Sequence, residues 1–173
     1  YVNYQVGYYV PSRYIDGYGI TLNRAKQFVE KGYSLVITVD NGITAFEPLD
    51  FLKEHNVKVI VIDHHLIGDK LPNCDAIVHP IYCESGLNSS GAFSAYVFST
   101  AVLKRNDKYL STLAAISLIS DSMPLTGYNH NFLKAVFKEY INDEFLNISL
   151  LCEGKQLSEE TISSKVSPKI NSI

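Results

Sequence analysis

What this chain lacks narrows it first. No apolar run reaches the length that crosses a bilayer, and the opening residues do not read as a secretory signal. The expectation is a cytoplasmic protein without a membrane partner. Positive charge is in short supply: 15 Lys and Arg against 18 Asp and Glu leave a net charge of −3. That argues against a broad basic face for nucleic acid, although cations bound to clustered carboxylates would change the balance. The three cysteines include no Cys-x-x-Cys pair, which fits reduced thiols rather than a disulfide framework. Cys74, His79 and Cys83 are too loosely spaced for a structural zinc, which takes four ligands from tighter knuckles. There is no internal repeat, no low-complexity tract and no Asp-x-Asp pair. The chain opens on Tyr1 and reads as cut or processed there, with a segment upstream.

What is present is the pattern of a folded α/β protein. Hydrophobic residues make up 46% of the 173 residues and charged residues 19%. "VGYYVP" (6–11) predicts a short strand ended by Pro11, followed by a Gly-rich loop, "SRYIDGYGI". "TLNRAKQFVEKG" has helical spacing with Gly32 suited to its C-terminus. "SLVITVD" and "VKVIVIDHH" are β-branched runs of strand length, separated by a turn and a helix starting between Thr44 and Glu47. Thr44 and Glu47 have capping-box spacing, while Pro48 competes as a first helical residue. Near-continuous apolar strands alternating with amphipathic helices imply a parallel sheet with flanking helices on both faces. "DAIVHP" is a further short strand, and apolar helices follow from near Gly91. The expected division is a domain over 1–125 and a helical extension over 126–173.

The chemistry gathers at strand ends. Asp40 ends one apolar strand and Asp63, His64 and His65 end another. In open α/β sheets the C-terminal strand ends line the ligand crevice, so 23 positions of sequence separation should collapse to neighbours. Packed carboxylates repel and take up protons unless a cation lies between them. Oxygen and imidazole donors without thiolate suit Mn²⁺, Mg²⁺, Fe or Zn²⁺, and a carboxylate-rich set leans to Mn²⁺. The alternative is a hydrogen-bonded His pair in an ordinary loop. Asp121 ends an apolar helix, where the dipole disfavours a carboxylate by about 0.3–1 kcal/mol. A bound metal would compensate it; equally, Asp121 could cap the "SMPLTG" turn.

In order along the chain, these segments resemble the DHH phosphoesterase superfamily. "VIDHH" is similar to its signature, "ITVDNGIT" to its second acidic motif and "ISLISDSMPLTGYNH" to its fourth. "YVPSRYIDGYGI" and "VSPKIN" resemble elements of the RecJ branch of single-strand-specific exonucleases. The resemblance implies a fragment of a catalytic core hydrolysing phosphodiesters of single-stranded DNA from the 5′ end in repair and recombination. Two ions, Mn²⁺ or Mg²⁺, would be held with Asp40, His64 and Asp121 as ligands. Asp63 would ligate or orient the cluster from behind, and His65 would face the scissile phosphate. Arg13 would meet phosphate as a bidentate donor, or be a solvated loop charge. The loop at Ser89, Ser90 and Gly91 would offer backbone N–H groups to phosphate, or simply cap a helix. The implied partners are single-stranded DNA and single-strand-binding or recombination proteins.

Some positions depart from that pattern. The family's upstream Asp-x-Asp is not in this sequence, Phe93 stands where a second Gly is usual, His79 and His130 replace Asn and Arg, and Lys169 replaces Arg. Two other readings share these residues. One is a DHH enzyme acting on oligoribonucleotides or cyclic dinucleotides; the other is a degenerate module that binds DNA or protein without cleaving.

Overall fold

The computed structural model describes residues 6–12, 14, 16–82 and 88–172. They form two compact units, Tyr1–Tyr82 and Cys83–Ile173.

In the first unit, helix α1 (Leu22–Glu30) precedes strand β1 (Leu35–Val39). Helix α2 (Phe46–Glu54), strand β2 (Lys58–Ile62) and strand β3 (Ala76–Val78) follow. The sheet is parallel throughout, in the order β1-β2-β3. Val36 is level with Val59, and Thr38 with Val61 and Ile77. This row of one face joins Ala25 of α1 with Leu49 and Leu52 of α2 in a single apolar core. Both helices therefore cover the same face of the sheet, rather than one face each. On the edge strand β1 the other row, Leu35, Ile37 and Val39, is 43–45% exposed. Burial there alternates with the period of two expected of a strand covered on one side.

The expected first strand at 6–11 is absent: residues 6–11 have no ladder partner among the described residues. Val6, Tyr8 and Val10 lie 76–92% exposed, so this row of side chains gains little burial to offset the entropy of ordering the segment. Pro11 also withholds the N–H that a ladder needs. The Thr44/Glu47 capping box is not used either. The N-cap of α2 falls on Ala45, whose side chain makes no capping bond.

The second unit is helical: α3 (Gly91–Leu103), α4 (Lys108–Ser120), α5 (Gly127–Glu139) and α6 (Leu146–Leu151). A short helix α7 (Glu159–Thr161), a π turn over Ile162–Val166 and α8 (Ser167–Asn171) end it. Helix α4 is apolar nearly all round because it serves two cores. Ala114, Ala115 and Leu118 pack with Phe93, Leu133 and Val136, while Ile116 packs with Ile148, Leu157 and Ile162. Phe93 is the anchor of the first, meeting the Phe132 ring edge-to-face at a centroid distance of 5.0 Å. Lys169 is structural here: its Nζ donates to the Leu151 carbonyl at 2.9 Å and to Glu153 at 3.0 Å. With Lys165 it holds the Glu153 carboxyl at about 2. The two units part at 82/83, so α3 and α4 belong to the second.

Helix α3 ends on Lys104 in the left-handed region at φ 52°. That conformation costs an L-residue about 1–2 kcal/mol, against a smaller entropic cost for glycine. Lys104→Gly is expected to stabilise the protein by about 0.5–1 kcal/mol, read as a higher urea midpoint at unchanged slope. A lower midpoint would contradict the cap.

Candidate metal centre

The C-terminal ends of the three strands form one edge, because parallel pairing keeps them level. The Asp40 N–H donates to the Ile62 carbonyl at 2.9 Å, and that of Asp63 to Val78 at 3.1 Å. Asp40, the Asp63-His64-His65 run and His79 therefore each sit one step past a strand. Asp40 adopts φ 61°, a left-handed conformation that Asp tolerates better than most residues and that recurs at functional sites. The next turn needs Gly42 at φ 112°; a Cβ there would lie 2.4 Å from the Thr38 hydroxyl oxygen.

Asp40, His64 and His65 come together, their ligating atoms all within 4.8 Å of one another. His64 Nε2 lies 3.1 Å from Asp40 Oδ1. One carboxylate oxygen and two imidazole nitrogens, with no thiolate, make a donor set that fits a first-row divalent ion.

Asp63 does something different. It is 1% exposed, and its oxygens accept from the Ile43 N–H (2.9 Å), the His64 N–H (2.8 Å) and the His65 N–H (3.3 Å). A fourth bond comes from His65 Nδ1 at 2.6 Å. Burial pushes the carboxyl's pKa up, but the Ile43 N–H, the His65 ring and the two His backbone donors outweigh it and hold it below the ordinary range. An ionised carboxylate only accepts, so Nδ1 of His65 carries a proton and Nε2 is the nitrogen directed elsewhere.

Two contributors were not picked out from the sequence. The Tyr18 hydroxyl lies 2.7 Å from the Asp40 carbonyl and 3.0 Å from His65 Nε2, and its single proton is shared between these two acceptors, tying both strand ends to the Gly-rich loop. That loop is anchored on α1: Asp16 accepts from the Ser12 N–H, the Tyr9 hydroxyl and Arg24, whose guanidinium stacks 3.7 Å above the Tyr9 ring. His79 is the second. Its Nδ1 accepts from the Ile81 N–H at 3.2 Å, so the ring proton sits on Nε2 and is donated to the His65 carbonyl at 2.8 Å. Applying the strand-end rule to the third strand would have found His79. Tyr18 lies within the "YVPSRYIDGYGI" segment, but nothing local pairs it with His65, 47 positions away.

Of the other predicted residues, Ser90, Gly91 and Asp121 lie in the second unit. Asp121 is the C-cap of α4, followed by Ser122 at φ 54°. The turn is closed by main-chain bonds, Ser122 N–H to Ile119 and Met123 N–H to Leu118. Ser90 is the N-cap of α3: its hydroxyl accepts from the Phe93 N–H and pairs with Ser117 at 2.6 Å. Ser90 and Gly91 are both buried. Arg13 lies outside the described residues.

The family model described as DHH family, N-terminal domain, matches residues 1–120. This chain belongs to the DHH family. Among DHH relatives it is 32% identical over 177 residues to the single-stranded-DNA-specific exonuclease RecJ of Bacillus subtilis, covering 98% of this chain and 22% of that one. With the RecJ of Haemophilus influenzae the identity is 36% over 140 residues, covering 72% and 24%. A solved exonuclease RecJ bound to manganese matches with TM-score 0.79 and 29% identity, over 94% of this chain and 44% of that chain. RecJ of Thermus thermophilus in complex with Mn²⁺ matches at 0.74 and 28%, over 87% and 24%. The DHH chain here spans about a quarter of the length of the curated relatives it matches.

Replacing Asp63 by Asn turns one acceptor oxygen into a donor facing N–H groups. Asp63→Asn should cost about 2–3 kcal/mol at pH 7, read by chemical denaturation. Asp63 has a depressed folded pKa, so its contribution is complete above about pH 3.9 and is lost as pH falls through the folded value. The gap between wild type and variant should therefore narrow only below about pH 4. A gap constant down to acid pH would contradict the charge-assisted role.

Proposed function

We propose that this chain is the metal-binding core of a manganese- or magnesium-dependent exonuclease that hydrolyses single-stranded DNA from the 5′ end. The observation that carries the reading is the meeting of Asp40, His64 and His65 at adjacent strand ends, in a DHH chain matched over 98% of its length by a RecJ. In this reading Asp40 and His64 are metal ligands. Asp121, the C-cap of α4, is proposed as a further ligand in the complete protein, since a cation would offset the negative end of the helix dipole. The complete protein would hold two ions. Bound there, the metal supplies Lewis-acid character and neutralises phosphodiester charge.

The chain's own residues do the positioning. Asp63 stays behind the cluster as the orienting acceptor, holding one proton of His65 on Nδ1 so that Nε2 faces outward, where it would donate to the scissile phosphate when the ring carries a second proton. Tyr18 and His79 hold the same ring and its backbone from two further directions. Arg13 meets phosphate with its two-pronged donor. At Ser90 and Gly91 the backbone N–H groups, rather than the capping hydroxyl, would face the strand. The substrate's setting is repair and recombination, with single-strand-binding or recombination proteins as partners.

The complete protein with manganese should release mononucleotides from single-stranded DNA carrying a 5′ phosphate, and a chelator should abolish this until metal is restored. Asp40→Ala and His64→Ala should each lower kcat/KM by about 10²–10³-fold, the size of effect when one charge-stabilising group of a hydrolytic site is removed. Full cleavage in chelator, or by either variant, would overturn the proposal.

A further inference from the structure

Tyr18 reaches the strand-end cluster from a loop that does not place it unaided. It stands between Gly17 and Gly19, both at φ 76°, so the chain is free to turn on either side of it. At 65% exposure it gains little from burial. The loop is restrained instead at Asp16, one step before Gly17. The Asp16 side chain is 11% exposed. One of its oxygens accepts from Arg24 Nη2 at 3.1 Å, the other from the Tyr9 hydroxyl and from the Ser12 N–H at 3.0 Å. The Asp16 N–H returns a bond to the Ser12 carbonyl at 2.8 Å and closes the turn. Arg24 belongs to α1, whose Ala25 is part of the sheet core, so the loop is moored to the rigid part of the unit. Its Nη1 is given to Gln27 at 2.5 Å, and Nη2 also donates to the Tyr9 hydroxyl at 2.6 Å. With its fork committed to Gln27, Tyr9 and Asp16, Arg24 serves the loop rather than an outside anion.

We propose that the Asp16–Arg24 pair is a positioning device for the reaction, setting the His65 ring through Tyr18 from outside the metal centre. The inference rests on the hydrolase reading above and adds to it two residues that act at a distance. Arg24 supplies more than charge here, because its guanidinium plane lies 3.7 Å over the Tyr9 ring while its nitrogens take fixed directions. Lysine would keep the charge and lose both the plane and the fork. Tyr18 carries the constraint onward. Its hydroxyl meets His65 Nε2 and the Asp40 carbonyl, and its ring meets the His65 ring edge-on at a centroid distance of 5.5 Å. A misplacement of about 1 Å at a reacting group can cost about 10²-fold in rate, so slack in the loop is felt at His65.

The test uses the complete protein with manganese and a single strand carrying a 5′ phosphate. Arg24→Lys should lower kcat about tenfold or more while KM stays within about twofold. Tyr18→Phe keeps the ring and loses only the hydroxyl. Adding Arg24→Lys to Tyr18→Phe should lower kcat no further, because the pair acts through that hydroxyl. A merely structural pair would lower the urea midpoint and leave the kcat of the folded protein unchanged, which overturns the inference. So does an Arg24→Lys loss that persists in full beside Tyr18→Phe. Should Arg24→Lys not fold, Asp16→Asn, which keeps the shape and loses the charge, takes its place in each comparison. The second readout needs no metal and no cleavage: the nitrogen resonance of His65 Nε2 in metal-free protein. Arg24→Lys and Tyr18→Phe should move it in the same direction, and the double variant no further than Tyr18→Phe alone. A resonance unmoved by Arg24→Lys overturns the inference whether or not the strand is cut. If wild type cuts no strand, the hydrolase reading fails, and a shift shared by the two variants still upholds the positioning of His65 by the pair.

Discussion

The Asp63 carboxylate is the fastening on which the strand-end cluster depends. One side chain accepts from Ile43 in the loop after β1, from two successive N–H groups after β2, and from the His65 ring. It thereby joins two chain segments 20 positions apart at the point where an extended strand gives way to loop. Its burial would be costly for an unpaired charge. Four donors converging on two oxygens make the ionised form the favoured one, and that form is what fixes the imidazole proton. The position of His64 follows, because its backbone is held on the same carboxylate while its ring turns toward Asp40.

Around that fastening the donors divide by accessibility. Asp63 lies within the protein and orients, whereas Asp40 is exposed and available to an ion. Two carboxylates at the ends of adjacent strands thus differ in environment, one buried among donors and one exposed. Asp40 and Gly42 both take positive φ, and the N-terminus of α2 follows after Ala45. The same short loop supplies a candidate ligand and the Ile43 donor to Asp63. A substitution at Gly42 would disturb both, since Thr38 leaves no space for a Cβ.

The second unit shows how one helix can be apolar on nearly every side without spanning a membrane. No helix among the described residues is long and apolar enough to do so. Helix α4 instead divides its surface between two cores and ends on Asp121. Phe93, a departure from the family pattern, is explained by packing: it fills the core shared by α3, α4 and α5. Lys169 likewise keeps the charge of the usual Arg and uses it on the end of α6.

The sequence by itself determined the alternation of parallel strands and helices and the placement of Asp40 and Asp63 at neighbouring strand ends. Both follow from local periodicity, the apolar run length and the rule that parallel strands end on one edge. It also placed Asp121 at a helix terminus. Only the tertiary structure decided that 6–11 is not a strand, because a ladder requires a partner that no local pattern supplies. Only it separated the orienting Asp63 from the exposed Asp40, since burial and convergent donors are properties of the assembled edge. The bonds of Tyr18 to His65 and of His79 to the His65 carbonyl, spanning 47 and 14 positions, were likewise decided by how the chain returns on itself, although the strand-end rule already puts His79 on the same edge.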